Sequence, residues 1–275
     1  MQELKKQKMP TGIGSLDPIL GGGVPRGSLI LLTGDLGAGS YEFVYSSLVN
    51  TLYDRKGSHP EGIRLPTEVR YVSFTRSNQD IRQEILGSFN VEGLQQFVDM
   101  VRFDDLSDHY FDDSIVPDEW YSTGDVKTRI QKRSAHENIF VRLSNVIETA
   151  APDSLVVLDS LTEIATQCTT PALWANLTGL LRGVQRVAKQ RNITFYLLLT
   201  RGILDSSRQT ELADIADAVI LFRWEESSGA RRQRVMYFEK FRGVMSHLEE
   251  HDLVKFAVRI STTNGFEVSN IRVVI

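Results

Sequence analysis

Short apolar runs alternate with longer stretches of helical period through most of this chain, and that alternation restricts its fold more than any other feature. The runs fall at residues 29–33, 69–74, 97–103, 155–159, 194–200 and 218–224. Each is four to eight residues long and bounded by turn residues, the pattern of a strand buried on both faces. Between them, apolar residues recur at helical spacing. Val44, Leu48 and Leu52 share one face, as do Ile81, Ile85 and Phe89. Ser77 with Asp80 three residues on resembles a helix-opening capping box. A third helix is expected around Ile139, Leu143, Val146, Ile147 and Ala150, and a fourth after Thr170-Pro171 with the stripe Leu173, Leu177, Leu180, Val184 and Val187. Strands alternating with helices imply an α/β fold, a mostly parallel central sheet with helices on both faces. Residues 234–241, 254–260 and 266–274 have no strong helix between them and are expected to extend one sheet edge in antiparallel fashion.

Composition narrows the function classes. A chain of 275 residues admits one large domain or two small ones, and its 41% hydrophobic content is ample for a buried core. The single cysteine, Cys168, excludes an internal disulfide and any multi-cysteine zinc site, and suits a reducing cytoplasm. The net charge of -4 provides no global positive field for nucleic acid or an anionic membrane. Lys5, Lys6 and Lys8 precede no apolar segment, so residues 1–10 read as a tail rather than a secretory signal. No apolar run is long enough to span a bilayer. The expected location is the cytoplasm.

The segment Thr11-Gly12-Ile13-Gly14-Ser15-Leu16-Asp17-Pro18-Ile19-Leu20-Gly21-Gly22-Gly23-Val24-Pro25-Arg26-Gly27 is the most specific passage. Locally it predicts a short helical turn capped by Ser15, a left-handed exit at Gly21 and a tight turn at Pro25-Arg26-Gly27. It resembles the opening of KaiC-like and RadA-like members of the RecA superfamily, which carry TG-I-x-x-LD-x-x-LGGG-x-P-x-G before their first core strand. That resemblance runs from about Thr11 to Val268. It implies a RecA-like three-layer fold in one domain over residues 11–275, with an acidic insertion at about 103–125.

The resemblance also fixes where nucleotide chemistry would be. In the family the first strand enters a Walker A loop, G-x-x-x-x-G-K-[ST], whose backbone N–H groups cradle phosphates while the lysine and hydroxyl hold charge and magnesium. Here Gly34, Gly37 and Gly39 are in register, but Ser40 stands at the lysine position and Tyr41 at the hydroxyl position. Asp35 and Glu42 add carboxylates beside the expected phosphate site, Glu42 also suiting a helix N-terminus. The run Leu155–Asp159 looks like a Walker B strand, with Asp159 as the magnesium aspartate or a vestige of it. The family's paired glutamates after the second strand are replaced by Thr75 and Arg76. Glu163 is either a substitute base or a helix-start acid. Thr200 lies where relatives sense the γ-phosphate. Lys240 and Arg242, in Lys240-Phe241-Arg242-Gly243, resemble the family's K-x-R-G element, which reaches the neighbouring subunit's nucleotide; otherwise they are protective charges on an edge strand.

The implied cofactor, ATP with magnesium, is thus opposed by missing groups, and no cofactor or metal is assigned. The losses fall on chemical groups while fold-forming glycines persist, which implies a pseudo-ATPase in a regulatory or scaffolding role. The implied partners are copies of itself or another protein, not nucleic acid or membrane. Two readings stay open: an ATP-binding switch or weak ATPase completed in trans by Lys240 and Arg242, and a DNA-binding recombinase paralogue. The last rests on Arg231, Arg232 and Arg234 and on Lys127, Arg129, Lys132 and Arg133.

Two further features are noted. Asp104, Asp105, Asp108, Asp112, Asp113, Asp118 and Glu119 form an acidic stretch, either a solvated insertion or a docking or cation-binding loop. His59, His109 and His136 are scattered, whereas His247 and His251 are four apart beside Glu249 and Glu250 in an expected loop, with no third ligand assignable from spacing.

Overall fold

A computed structural model describes residues 7–54, 60–112, 114–121, 138–227, 231–251 and 253–270. Lys5, Lys6, His59, Asp113, Lys127, Arg129, Lys132, Arg133 and His136 lie outside the described residues, as do 122–125 of the expected insertion and 271–274 of the last expected strand. The elements are β1 (Lys8–Met9), β2 (Val24–Pro25), β3 (Leu29–Gly34), α1 (Ser40–Tyr53), β4 (Val69–Ser73), α2 (Asn78–Ser88), α3 (Leu94–Asp99), β5 (Val101–Asp105), α4 (Ser107–Phe111), α5 (Ile139–Glu148), β6 (Leu155–Asp159), α6 (Leu161–Gln167), α7 (Pro171–Arg191), β7 (Thr194–Thr200), α8 (Ser206–Ile215), β8 (Ala218–Ser227), β9 (Arg231–Phe241), α9 (Met245–Glu250), β10 (Lys255–Ser261) and β11 (Gly265–Asn270).

Nine strands form one sheet in the order β11-β10-β9-β8-β3-β7-β6-β4-β5. From β8 to β5 every pairing is parallel, and from β8 to β11 every pairing is antiparallel. The expected α/β layering and antiparallel extension are both present. Side-chain alternation along a strand divides the core in two. Ile30, Leu32, Tyr196 and Phe222 pack against Phe43, Val44, Leu48 and Leu52 of α1, while Leu29, Leu31, Phe195 and Val219 pack against Leu177, Leu181 and Val184 of α7 and Leu212 of α8.

Several boundaries differ from expectation. Residues 97–99 belong to α3, and the strand begins at Val101. A short apolar run does not distinguish strand from buried helix by period alone. Asp104 and Asp105 belong to β5, so the acidic stretch starts inside the sheet. Asp104 faces the buried guanidinium of Arg70, and Asp105 accepts a hydrogen bond from the Ser107 N–H. Met9 is buried and pairs with Val24, so the tail ends before Lys8. The loop expected around His247 and His251 contains α9. Ser77 caps α2, as expected, by accepting from the Asp80 N–H.

The opening glycine segment forms the expected turns of helical spacing, Asp17 N–H to the Ile13 carbonyl and Leu20 N–H to the Leu16 carbonyl, and Gly21 is left-handed at φ 63°, but Ser15 does not cap them. Its hydroxyl accepts from the Val268 N–H of β11 at 2.8 Å. Asp17 is the organiser: its carboxylate accepts from the Thr11 N–H and hydroxyl at 2.7 Å each and from the Gly12 N–H at 3.1 Å. Gly23 has φ 125°, and a Cβ there would stand 2.0 Å from the Met9 carbonyl oxygen. Asn50 of α1 donates to the Gly12 carbonyl at 2.7 Å, which fastens the segment to the helix that follows the glycine turn.

Candidate functional site

In a parallel sheet, ligand sites form beyond the carboxyl ends of the strands. Here the ends of β3 and β7 and the residue after β6 bring Gly34, Gly37, Ser40, Tyr41, Ser160 and Thr200 around one small cavity of about 40 Å³. That is room for a few waters, whereas cavities that hold drug-sized ligands run to about 300–1,000 Å³.

The turn from β3 to α1 keeps the glycine geometry that the sequence predicts. Gly37 and Gly39 have φ 69° and 115°, left-handed values that favour glycine. Gly39 caps α1, and Ser40 and Tyr41 are the first two helical residues. The outer side of the turn is tethered. Trp224 Nε1 donates to the Leu36 carbonyl and Arg234 Nε to the Gly37 carbonyl, both at 3.0 Å. Arg232 and Arg234 lie over the Trp224 ring at 4.8 and 4.4 Å. Two of the arginines of the expected basic cluster are therefore stacked on an indole beside the turn. Asp35 accepts from the Trp224 N–H and pairs with Arg201 at 3.3 Å and Arg223 at 3.9 Å. It lines the cavity, with its charge matched by these arginines of the same chain. Glu42 occupies the first turn of α1.

Tyr41 defines the inner side. Its hydroxyl donates to Asp159 Oδ1 at 2.9 Å, and the Tyr71 hydroxyl of β4 donates to Oδ2 at 2.7 Å. Arg76 brings its guanidinium to 3.6 Å from Oδ2, donates to the Tyr45 hydroxyl at 3.3 Å and pairs with Glu84. Tyr41, Tyr45 and Tyr71 pack in sequence as tilted rings, with centroids 6.2 and 6.4 Å apart. Asp159 is buried and already has two donors and a cation. Tyr71 and Tyr45 went unrecognised in the sequence; the spacing of Tyr41 and Tyr45, one helical turn apart, was the available signal.

Burial raises the Tyr41 and Tyr71 phenols, and the Asp159 charge raises them further, so both O–H groups remain donors. The Asp159 carboxyl is also pushed up by burial, with the hydrogen bonds from Tyr71 and Tyr41 and the Arg76 charge pulling partly back. The native state therefore holds the Asp159 proton more tightly than the unfolded chain, whose value is about 3.8. Stability from the protonated form is complete below that value and is lost as pH rises through the raised one. Asp159→Asn removes this loss. Its stability relative to the parent should grow with pH from about pH 4 upward, as read by urea unfolding at a series of pH values. A constant difference would show that Asp159 titrates normally.

The other expected site residues divide. Thr200 borders the cavity, and its N–H donates to the Thr162 hydroxyl at 2.8 Å. Glu163 accepts from the Ser160 N–H at 3.0 Å in a capping box that opens α6, which is the helix-start reading. Lys240 and Arg242 are engaged elsewhere. Lys240 Nζ donates to the Ala213 and Asp214 carbonyls at 2.8 Å, and Arg242 donates to the Asp214 carbonyl at 2.8 Å. Both satisfy the C-terminal end of α8 within the same chain.

A family model described as the KaiC ATPase matches residues 9–271, nearly the whole chain. The chain belongs to the KaiC family of ATPase domains. Among solved structures, a KaiC-like protein from the hyperthermophilic archaeon Pyrococcus horikoshii OT3 superposes with a TM-score of 0.61 at 17% identity, over 95% of this chain and 98% of that one. No curated protein sequence matches. The fold is thus the RecA-like KaiC architecture.

Magnesium and ATP are the group that this family implies, and the residues present do not fit them. The lysine position holds a hydroxyl that carries no charge, and the hydroxyl position holds a phenol bonded to the aspartate. Each oxygen of the aspartate already accepts a hydrogen bond from a tyrosine hydroxyl.

Proposed function

We propose that this KaiC-family domain is catalytically inactive and acts as a regulatory or scaffolding subunit, through copies of itself or a protein partner, in the cytoplasm. The observation that carries the reading is the engagement of Asp159 by Tyr41, Tyr71 and Arg76. Phosphoryl transfer depends on positioning and on charge stabilisation. Here the charge-bearing groups are missing, and the remaining carboxylate is neutralised from within. The fold that relatives use is nonetheless kept in full, and a domain retained without its chemistry is suited to holding or signalling to another protein. The single buried cysteine agrees with a reducing compartment, and no described helix is long and apolar enough to cross a membrane.

The test is calorimetric titration of the chain with ATP, with and without magnesium. The expected result is no saturable heat in the micromolar range under either condition. Saturable binding would overturn the reading, and turnover abolished by Asp159→Ala would favour an ATP-driven switch. The cis engagement of Lys240 and Arg242 speaks against completion of the site in trans.

A further inference from the structure

At the edge of the domain opposite β5, the turn formed by α9 presents a group of side chains that the nucleotide site does not involve. Leu248 is fully buried and anchors this short helix, and the Leu253 N–H donates to its carbonyl at 2.7 Å, closing the turn. With Leu248 inward, His247, Glu250 and His251 are exposed. His247 and Glu250 stand three residues apart on α9, the spacing that places side chains side by side on a helix, and His251 follows as its C-terminal cap. Each offers one donor atom, and the three atoms lie within 4.8 Å of one another. The imidazole centroids are 4.6 Å apart.

One hydrogen bond gives the group its direction. His251 Nδ1 lies 2.9 Å from the His247 carbonyl oxygen. A carbonyl oxygen only accepts, so Nδ1 carries the proton and Nε2 keeps its lone pair. A backbone carbonyl bound to the far ring nitrogen is how metal-ligating histidines are oriented. Among the described residues Glu250 has no ion-pair partner, so its carboxylate is available as a third donor.

We propose that His247, Glu250 and His251 bind one divalent transition-metal ion of the zinc class. Two imidazoles and a carboxylate form a donor set that zinc takes in open sites, leaving a fourth position for water or an outside donor. Magnesium and calcium prefer oxygen ligands alone, which this set does not supply. Donors in a tetrahedral zinc site lie about 3.3 Å apart, given metal–ligand distances of about 2.0–2.2 Å. Rotation of three exposed side chains covers that difference without moving the helix.

The test uses the full chain, freed of metal with a chelator and titrated calorimetrically with Zn²⁺. A second titration with Co²⁺ is followed by its visible absorption. One equivalent is expected to bind. His247→Gln and His251→Gln should each weaken binding at least tenfold and remove the Co²⁺ bands, and Glu250→Gln should weaken it while keeping the stoichiometry. His109→Gln, a histidine outside the group, should change nothing. All three ligand positions are exposed, so circular dichroism of the variants should match the parent. Absence of saturable binding in the parent, or an unchanged isotherm in the His247→Gln, His251→Gln double variant, would overturn the site.

Discussion

Ser40→Lys combined with Tyr41→Thr is expected to give MgATP binding in the micromolar range, where the parent chain is expected to give none. The two changes act on different deficits. Lysine at 40 supplies the positive charge that the glycine turn lacks, at the first residue of α1, where backbone N–H groups already favour an anion. Threonine at 41 removes the phenol from Asp159 Oδ1 and supplies a short hydroxyl in its place. Tyr71 and Arg76 remain on Oδ2, so magnesium should strengthen binding only in part. Each tenfold gain corresponds to about 1.4 kcal/mol, and the pair should give at least a hundredfold. Turnover should stay absent, because Thr75 and Arg76 still replace both glutamates. Ser40→Lys alone should give less, since the phenol still occupies the aspartate. Calorimetry on the folded double variant decides the matter. If it binds no better than the parent, the tethers from Trp224 and Arg234 hold the turn closed to phosphate, and the losses extend beyond the side chains at 40 and 41.

Asp104→Ala should be the most damaging single change to stability outside the apolar core, costing about 3–5 kcal/mol. Arg70 is 1% exposed in the middle of β4. Its guanidinium donates to both Asp104 oxygens, to the Val146 carbonyl and to the Thr149 hydroxyl. Removal of the carboxylate leaves a buried cation with two neutral acceptors and, at 4.0 Å from Nε, only the Glu68 carboxylate. Arg70→Met in combination with Asp104→Leu should recover most of the loss, because an apolar pair leaves no charge unmatched. Urea unfolding of the two variants measures the contrast. A loss under about 1 kcal/mol for Asp104→Ala would place the pair among surface-like bridges.

The strands of the central sheet were legible because burial on both faces imposes continuous apolar runs, and β3, β6 and β7 match their expected positions closely. The 97–103 run misled because helix α3 and strand β5 abut within one apolar stretch, where period cannot separate them. Asp104 illustrates the limit of counting charges. In sequence it opens an acidic stretch, and only the pairing of β4 with β5 shows that it neutralises Arg70. The site was legible in one direction. A motif with fixed positions shows which groups are missing, so Ser40, Tyr41, Thr75 and Arg76 stood out. What took their place could not be seen, because Tyr41, Tyr71, Arg76 and Asp159 come from α1, β4, the turn after β4 and the end of β6. No spacing rule links them. Lys240 lies in β9 and Arg242 in the turn that follows it, and their acceptors at the end of α8 depend on how that helix packs.

The position of β3 in the sheet has a consequence for how the chain is made. β3 is the first core strand to leave the ribosome, yet its neighbours are β7 and β8, in the last third of the chain. Long-range parallel pairing of this kind is slow to form, because a large loop must close first. Through most of synthesis, then, Leu29, Ile30, Leu31 and Leu32 have an unpaired backbone on both sides, a sticky segment that needs shielding until the remaining strands emerge. The opening glycine segment is bound to α1 through Asn50, so it can form early and cover one side of the young β3–α1 unit. The glycine signature thus has a part in assembly that does not depend on nucleotide chemistry.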